Sequence, residues 1–401
     1  MSHVTPLMLR RFPFVISRNI RMGKKSKAPK LPETCLDVPQ VGSLAGIQVT
    51  PIYDTHTHLH STFEAYRKEY PEGRYTTIPE FVKGYYTRAT EQSESIHIPV
   101  KSLVDVWCEA PILKQWRTLA DSALTPESRA EKWGDIEYHF VMGEYSRTYW
   151  NSALSLDSHE AQYYNDEVEA ELLEAMKHPR NVGLGEIGLD YHYNNSPQDV
   201  QKEVLVRHAI NLGKPLTIHT READDDIWDI LSNNVPKDWK IHIHCFTDSP
   251  VLAKKLLDHF PNLYIGITGV ITYSTNENTA AVVRMLATSA PVDPSRSPLR
   301  ILLETDAPYM VPANLTKHQQ QTMGLKSNAR MPLCHAGMIP WTAEFVASAA
   351  NQGVVDQVVK EVENGGVKEV EGASEASDKK VWTAAEVMKI ARENAKHVYG
   401  V

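Results

Sequence analysis

Eight short apolar runs punctuate this chain, near residues 47–53, 102–108, 136–142, 182–186, 215–219, 240–244, 262–267 and 300–305. Between several of them lie amphipathic stretches with apolar residues at helical spacing, such as Val168 to Lys177, Asp199 to Leu212 and Val251 to Phe260. Strand signals alternating with helix signals predict repeated βα units and a parallel sheet. Eight such units predict an α/β fold, a (β/α)8 TIM-type barrel with insertions, and 401 residues suit one.

A single barrel domain is expected over residues 46–401, after a basic leader at 1–45. Residues 1–30 carry Arg10, Arg11, Arg18, Arg21, Lys24, Lys25, Lys27 and Lys30 and no acidic residue. Such a segment reads either as a mitochondrial presequence or as a disordered leader. Met22, taken as an alternative start, would remove most of it. The expected location is therefore cytoplasmic or nuclear, with mitochondrial import the alternative. Insertions are expected near 60–100, 144–158 and 362–379. The first, rich in Tyr, Glu and Arg, reads as a lid or as surface helices beside the site. The last is polar and reads as a solvated loop. A final helix over Ala384 to Val398 should pack on the barrel.

Apolar residues make up 42% and charged residues 23% of the chain, an ordinary balance for a globular domain. No apolar run approaches the roughly 20 residues of a membrane span. Cys35, Cys108, Cys245 and Cys334 form no CxxC pair, which argues against a disulfide framework and a zinc ribbon. A net charge of −8 would repel a polyanion, although bound divalent cations reverse the sign locally.

Six potential metal ligands sit where the apolar runs end: His56, His58, Glu186, His219, His244 and Asp306. His56 and His58 are two apart and point the same way on a strand, which could place two imidazoles on one metal. Glu186 lies in a glycine-rich strand exit, and its two oxygens could bridge two cations. His219 and His244 each end a strand. Asp306 could ligate a metal and accept the proton of a bound water. His242 and Glu304 share the strand parity of His244 and Asp306 but lie deeper, and are expected to play structural or supporting roles. Imidazoles and carboxylates converging at strand ends are how a barrel builds a hydrolytic metal site.

With these residues in view, the chain resembles the TatD family of metal-dependent deoxyribonucleases, within the amidohydrolase-type barrels. The matching motifs are DTHTHL at 54–59, GEIGLDY at 185–191, SPQDVQ at 196–201, IHTREA at 218–223, HCF at 244–246 and ETDAPY at 304–309. The resemblance implies one cation on His56, His58 and Asp306, a second on His219 and His244, and Glu186 bridging them. It also implies Arg221 as a phosphate contact, since guanidinium matches phosphate oxygens. The two divalent ions would be Mg²⁺, Mn²⁺ or Zn²⁺. One departure concerns the substrate side. The family's Gly-x-His-Pro-His pattern is replaced by Gly143-Glu144-Tyr145-Ser146-Arg147. His159 either takes up the second histidine's place after an insertion or is a chance surface residue, and Tyr145 and Arg147 are the candidates to replace lost contacts.

The leading functional expectation is a metal-dependent hydrolase that cleaves phosphodiesters, with DNA as substrate, Glu186 and Asp306 as catalytic residues, and neither a membrane nor an obligate protein partner. The same site could instead attack an amide, ester or lactone carbonyl. A third reading is a binding protein without turnover.

Overall fold

The computed structural model describes residues 30–45, 47, 50–87, 98–108, 114–143, 165–193, 196–209, 213–363 and 381–401. Eight parallel strands follow one another in chain order: β1 (Ile52–Thr57), β2 (Val100–Trp107), β3 (Glu137–Met142), β4 (Asn181–Asp190), β5 (Leu216–Arg221), β6 (Ile241–Ile243), β7 (Leu263–Ile267) and β8 (Ile301–Leu303). Each pairs in parallel with the next. The ends of the sheet meet through single hydrogen bonds. Asp306 N–H donates to His56 O at 2.9 Å, and His58 N–H donates to Ala307 O at 3.0 Å. The Thr55 hydroxyl donates to Leu303 O at 3.2 Å, just below them. The barrel is thus drawn shut beside its candidate ligands.

Strands β6 to β8 are buried on both faces, which is why Ile and Leu dominate them. Local chemistry fixes the helix starts. Ser249 accepts the Leu252 N–H ahead of the helix Pro250–His259, which has proline in its first turn. Thr383 and Glu386 form a reciprocal cap for the final helix, Ala384–Tyr399. That helix packs on β8, β1 and the helix Ile339–Glu363. Among the described residues no helix is long and apolar enough to cross a membrane.

Three expectations need correction. The first strand is Ile52–Thr57, not 47–53. Pro51 has no N–H to give a ladder, so pairing begins after it, and His56 lies inside the strand with His58 just beyond. The leader does not run to residue 45. Short 3₁₀ turns at Glu33–Leu36 and Gly42–Leu44 bury Cys35, Leu36, Val41 and Leu44. Gln319, His335 and Trp341 donate to the carbonyls of Cys35, Leu36 and Pro39 and pin this stretch to the barrel. The described part of segment 60–100 is not a surface lid. Its helices Leu59–Glu69 and Ile78–Tyr86 bury Tyr66, Phe81, Tyr85 and Tyr86 in one aromatic cluster. Residues 1–29, the expected insertion at 144–158 and all but the first two residues of the one expected at 362–379 lie outside the described residues, residues 362 and 363 closing the helix Ile339–Glu363.

Candidate metal centre

Two irregularities in the ladder aim the ligands inward. Between β4 and β5 the register steps from Leu184↔Leu216 to Ile187↔Ile218, so three steps on one strand face two on the other. Gly185 and Glu186 occupy this bulge. Gly185 has φ +139°, and a Cβ there would strike the Thr217 backbone, so only glycine fits. β1 is irregular between Asp54 and Thr57, around His56. Bulges of this kind re-aim side chains beside active sites.

Glu186, buried with 2% exposure, divides its two oxygens between two groups of side chains. Its Oε2 lies 3.3 Å from His56 Nε2 and 3.7 Å from His58 Nε2. Asp306 Oδ1 lies 3.7 Å from His56 Nε2 and 3.4 Å from His58 Nε2, and the two imidazole nitrogens are 3.3 Å apart. The other oxygen, Oε1, lies 3.0 Å from His219 Nδ1 and 2.8 Å from His244 Nε2, which are themselves 2.9 Å apart.

These spacings fit cations. Four ligands at about 2.1 Å in a tetrahedron stand about 3.4 Å from one another, and neighbours around an octahedron at the same radius about 3.0 Å. The first group has the wider spacing and the second the tighter one. The triads His56–His58–Glu186, His56–His244–Asp306 and Glu186–His219–His244 each bring their ligand atoms within 4.8 Å.

Electrostatics favour the ligand forms of His56 and Glu186. Burial, with the His244 ring beside it, lowers His56 to about 4 and leaves that imidazole neutral at pH 7. Burial works against ionised Glu186, but the rings of His244, His219 and His56 hold its carboxyl well below the usual range. Burial also works against a protonated His219, yet the Asp190 and Glu186 carboxylates on either side lift it to about 9. A cation bound at His219 would displace that proton.

A ring of supports lies behind these groups. Asp190 Oδ2 is 3.2 Å from His219 Nε2, while its Oδ1 accepts the N–H groups of His192 and Tyr193. A carboxylate behind a ligand histidine fixes which nitrogen faces the metal. Asp54 accepts from His56 N–H, Thr305 N–H and the Thr305 hydroxyl, tying β1 to the turn that carries Asp306. Burial pushes the Asp54 carboxyl up to about 8 despite these donors. Asp105 accepts Leu59 N–H and the Tyr138 hydroxyl, and so fixes the chain where it leaves His58.

The sequence profile of the family described as TatD related DNase matches residues 53–400, almost the whole barrel. The chain belongs to this family. One TatD relative, the human 3'-5' RNA nuclease TATDN2, is 41% identical over 169 residues, 41% of this chain and 21% of that protein. The Bacillus subtilis metal-dependent hydrolase YabD is 33% identical over 180 residues, 44% of this chain and 62% of the relative. The chain thus matches less than two thirds of the length of either. In three dimensions it resembles a Saccharomyces cerevisiae amidohydrolase, with a TM-score of 0.55 and 16% identity over 87% of this chain and 100% of the other. The Escherichia coli TatD homologue YJJV gives 0.51 and 17%, over 87% of this chain and 98% of the other. At such identities these likenesses establish the barrel and nothing finer.

All six ligands that the TatD motifs imply are brought together. Arg221, at the end of β5, stands 5.0 Å from the half-exposed Tyr193 ring at the rim of the same barrel end. Tyr145, Arg147 and His159 lie outside the described residues. Sequence reasoning missed the supporting contacts of Asp54, Asp105, Asp190 and Thr305. Asp54 and Asp190 stand in the DTHTHL and GEIGLDY motifs, and Asp54 has the parity of His56, so a parity argument could have found it.

Proposed function

We propose that this TatD protein is a nuclease that hydrolyses phosphodiester bonds with two divalent cations, Mg²⁺, Mn²⁺ or Zn²⁺, bound side by side. The observation that carries the reading is Glu186, whose oxygens face two separate ligand groups. Cations there would supply Lewis-acid activation of water and neutralise the phosphoryl oxygens. His56, His58 and Asp306 would hold one, His219 and His244 the other, and Glu186 would bridge them. Asp306 would accept the proton of the attacking water. Arg221 would contact a substrate phosphate, and Tyr145, Arg147 and His159 are the candidates for further substrate contacts.

DNA is the proposed substrate, in keeping with the family's description, while the name of the human relative makes RNA the rival. Hydrolysis of labelled single-stranded DNA and RNA of one sequence tests both, in EDTA and then with each cation, beside Glu186→Ala. Metal-dependent shortening that is lost in the variant supports the reading, and full activity of Glu186→Ala refutes it. Cleavage of small esters or amides but of neither oligomer would favour a carbonyl hydrolase. For location we propose the cytoplasm or nucleus, with mitochondrial import through residues 1–30 the alternative. Microscopy of the chain tagged at its C-terminus, with and without those residues, separates the two.

A further inference from the structure

Two residues before each of three ligands stands a buried polar side chain: Thr217 before His219, His242 before His244 and Glu304 before Asp306. Together with Tyr399, the last residue of the final helix, they form one series of close polar contacts beside the candidate ligands. Thr217 Oγ1 and Tyr399 Oη are 2.7 Å apart, and Tyr399 Oη is 2.7 Å from His242 Nδ1. His242 Nε2 is 2.8 Å from Glu304 Oε2. Cys245 N–H donates to Glu304 Oε1 at 2.5 Å. Tyr399 Oη thus links the Thr217 hydroxyl to the His242 ring, and that ring stands against one Glu304 oxygen while the other takes the Cys245 N–H.

None of these groups faces the proposed cations, and a fully buried carboxylate is costly unless it is paired and hydrogen-bonded. The surrounding strands are shaped around it. A Cβ at Gly266, on β7, would collide with both the Glu304 carboxylate and the His242 ring. The far end of the series is equally specific. Cys245 has φ +42°, a left-handed conformation that non-glycine residues disfavour, so the turn needs an external hold. The Glu304 carboxylate is such a hold. The residue immediately before this turn is His244, whose ring reaches Glu186.

We propose that Glu304, held by His242 and, through it, by Tyr399, fixes the turn that aims His244 at the second cation, which makes Tyr399 of the final helix a positioning residue for the metal centre. The proposal rests on the two-cation reading given above.

Calorimetric titration of the metal-stripped full chain with Mn²⁺ tests it, comparing wild type, Tyr399→Phe, Thr217→Val and Tyr264→Phe. The Tyr264 hydroxyl accepts from Arg296 and touches no candidate ligand, so its loss is the control for a buried tyrosine hydroxyl. Removing a partner behind a metal ligand typically weakens affinity by about 10- to 100-fold. Tyr399→Phe acts through two further groups, and the lower end, about tenfold at one of two sites, is expected. Thr217→Val should give a smaller loss of the same sign and keeps the test alive if Tyr399→Phe does not fold. Nuclease kcat should fall at limiting Mn²⁺ and recover in excess, with KM for the oligomer unchanged. Wild type that binds fewer than two cations overturns the reading beneath the proposal. Wild type that binds two, with unchanged affinities in Tyr399→Phe and Thr217→Val, overturns the proposal alone. So does an equal loss in Tyr264→Phe.

Discussion

Replacing Asp190 by Asn removes a charge while nearly keeping a shape, and it should weaken one cation site without unfolding the loop beside it. Asp190 does two things at once. Its Oδ1 accepts the N–H groups of His192 and Tyr193 at 2.9 and 3.0 Å, and its Oδ2 faces His219 Nε2 at 3.2 Å. An asparagine oxygen can keep the first pair of bonds. Its amide nitrogen would then point at His219 Nε2, which carries the proton whenever Nδ1 binds a cation, so two donors would meet. The ligand loses both its orienting acceptor and the charge that raises its basicity. Affinity at the site built on His219 and His244 should fall about 10- to 100-fold, equivalent to about 1.4–2.7 kcal/mol. Asp190→Ala should lose the same affinity and also leave two backbone N–H groups unpaired, at about 1 kcal/mol each, so that its stability drops by about 2 kcal/mol. Titration calorimetry with Mn²⁺ gives the affinities, and denaturant unfolding of the metal-free proteins gives the stabilities. Wild-type affinity at both sites of Asp190→Asn would refute the reasoning. An equal loss at both would show that the effect is not local to His219.

The metal-free protein should lose stability as pH rises. His219 has a folded pKa of about 9 against about 6.5 unfolded, so its contribution is complete below about 6.5 and disappears as pH passes through about 9. The Tm in EDTA should fall across that window, with Asp54 at about 8 adding to the fall, and saturating Mn²⁺ should make it shallower by removing the His219 share; a flat Tm in EDTA would contradict the assignment. Arg221→Ala should raise the KM for an oligonucleotide about tenfold with little change in kcat, and Arg221→Lys should restore only part of it, since lysine lacks the planar fork. Deleting residues 1–45 should lower thermal stability sharply, because Leu36, Val41 and Leu44 leave the core at about 1.5–3 kcal/mol each.

The barrel was legible because parallel strands buried on both faces leave largely apolar runs, as at Leu263–Ile267 and Ile301–Leu303. The ligands were legible because they interrupt those runs with residues that are costly to bury. The start of β1 was not, since the apolar residues before Pro51 imitate a strand while the true strand carries Asp54 and His56 into the barrel. Nor were the supports. Asp54 meets Thr305 across 251 residues and Tyr399 meets His242 across 157, pairings that no local pattern encodes. The 30–45 segment was misjudged for a related reason. Its few apolar residues gain a core only from groups such as Gln319, His335 and Trp341, far along the chain.

The central claim is that Glu186 stands between two cations. Anomalous scattering from crystals of the full chain soaked in Mn²⁺ tests it most directly. The account predicts two peaks about 3.5–4 Å apart, one among His56, His58 and Asp306 and the other between His219 and His244, with a Glu186 oxygen on each. A single peak, or peaks that leave Glu186 uncoordinated, would contradict it.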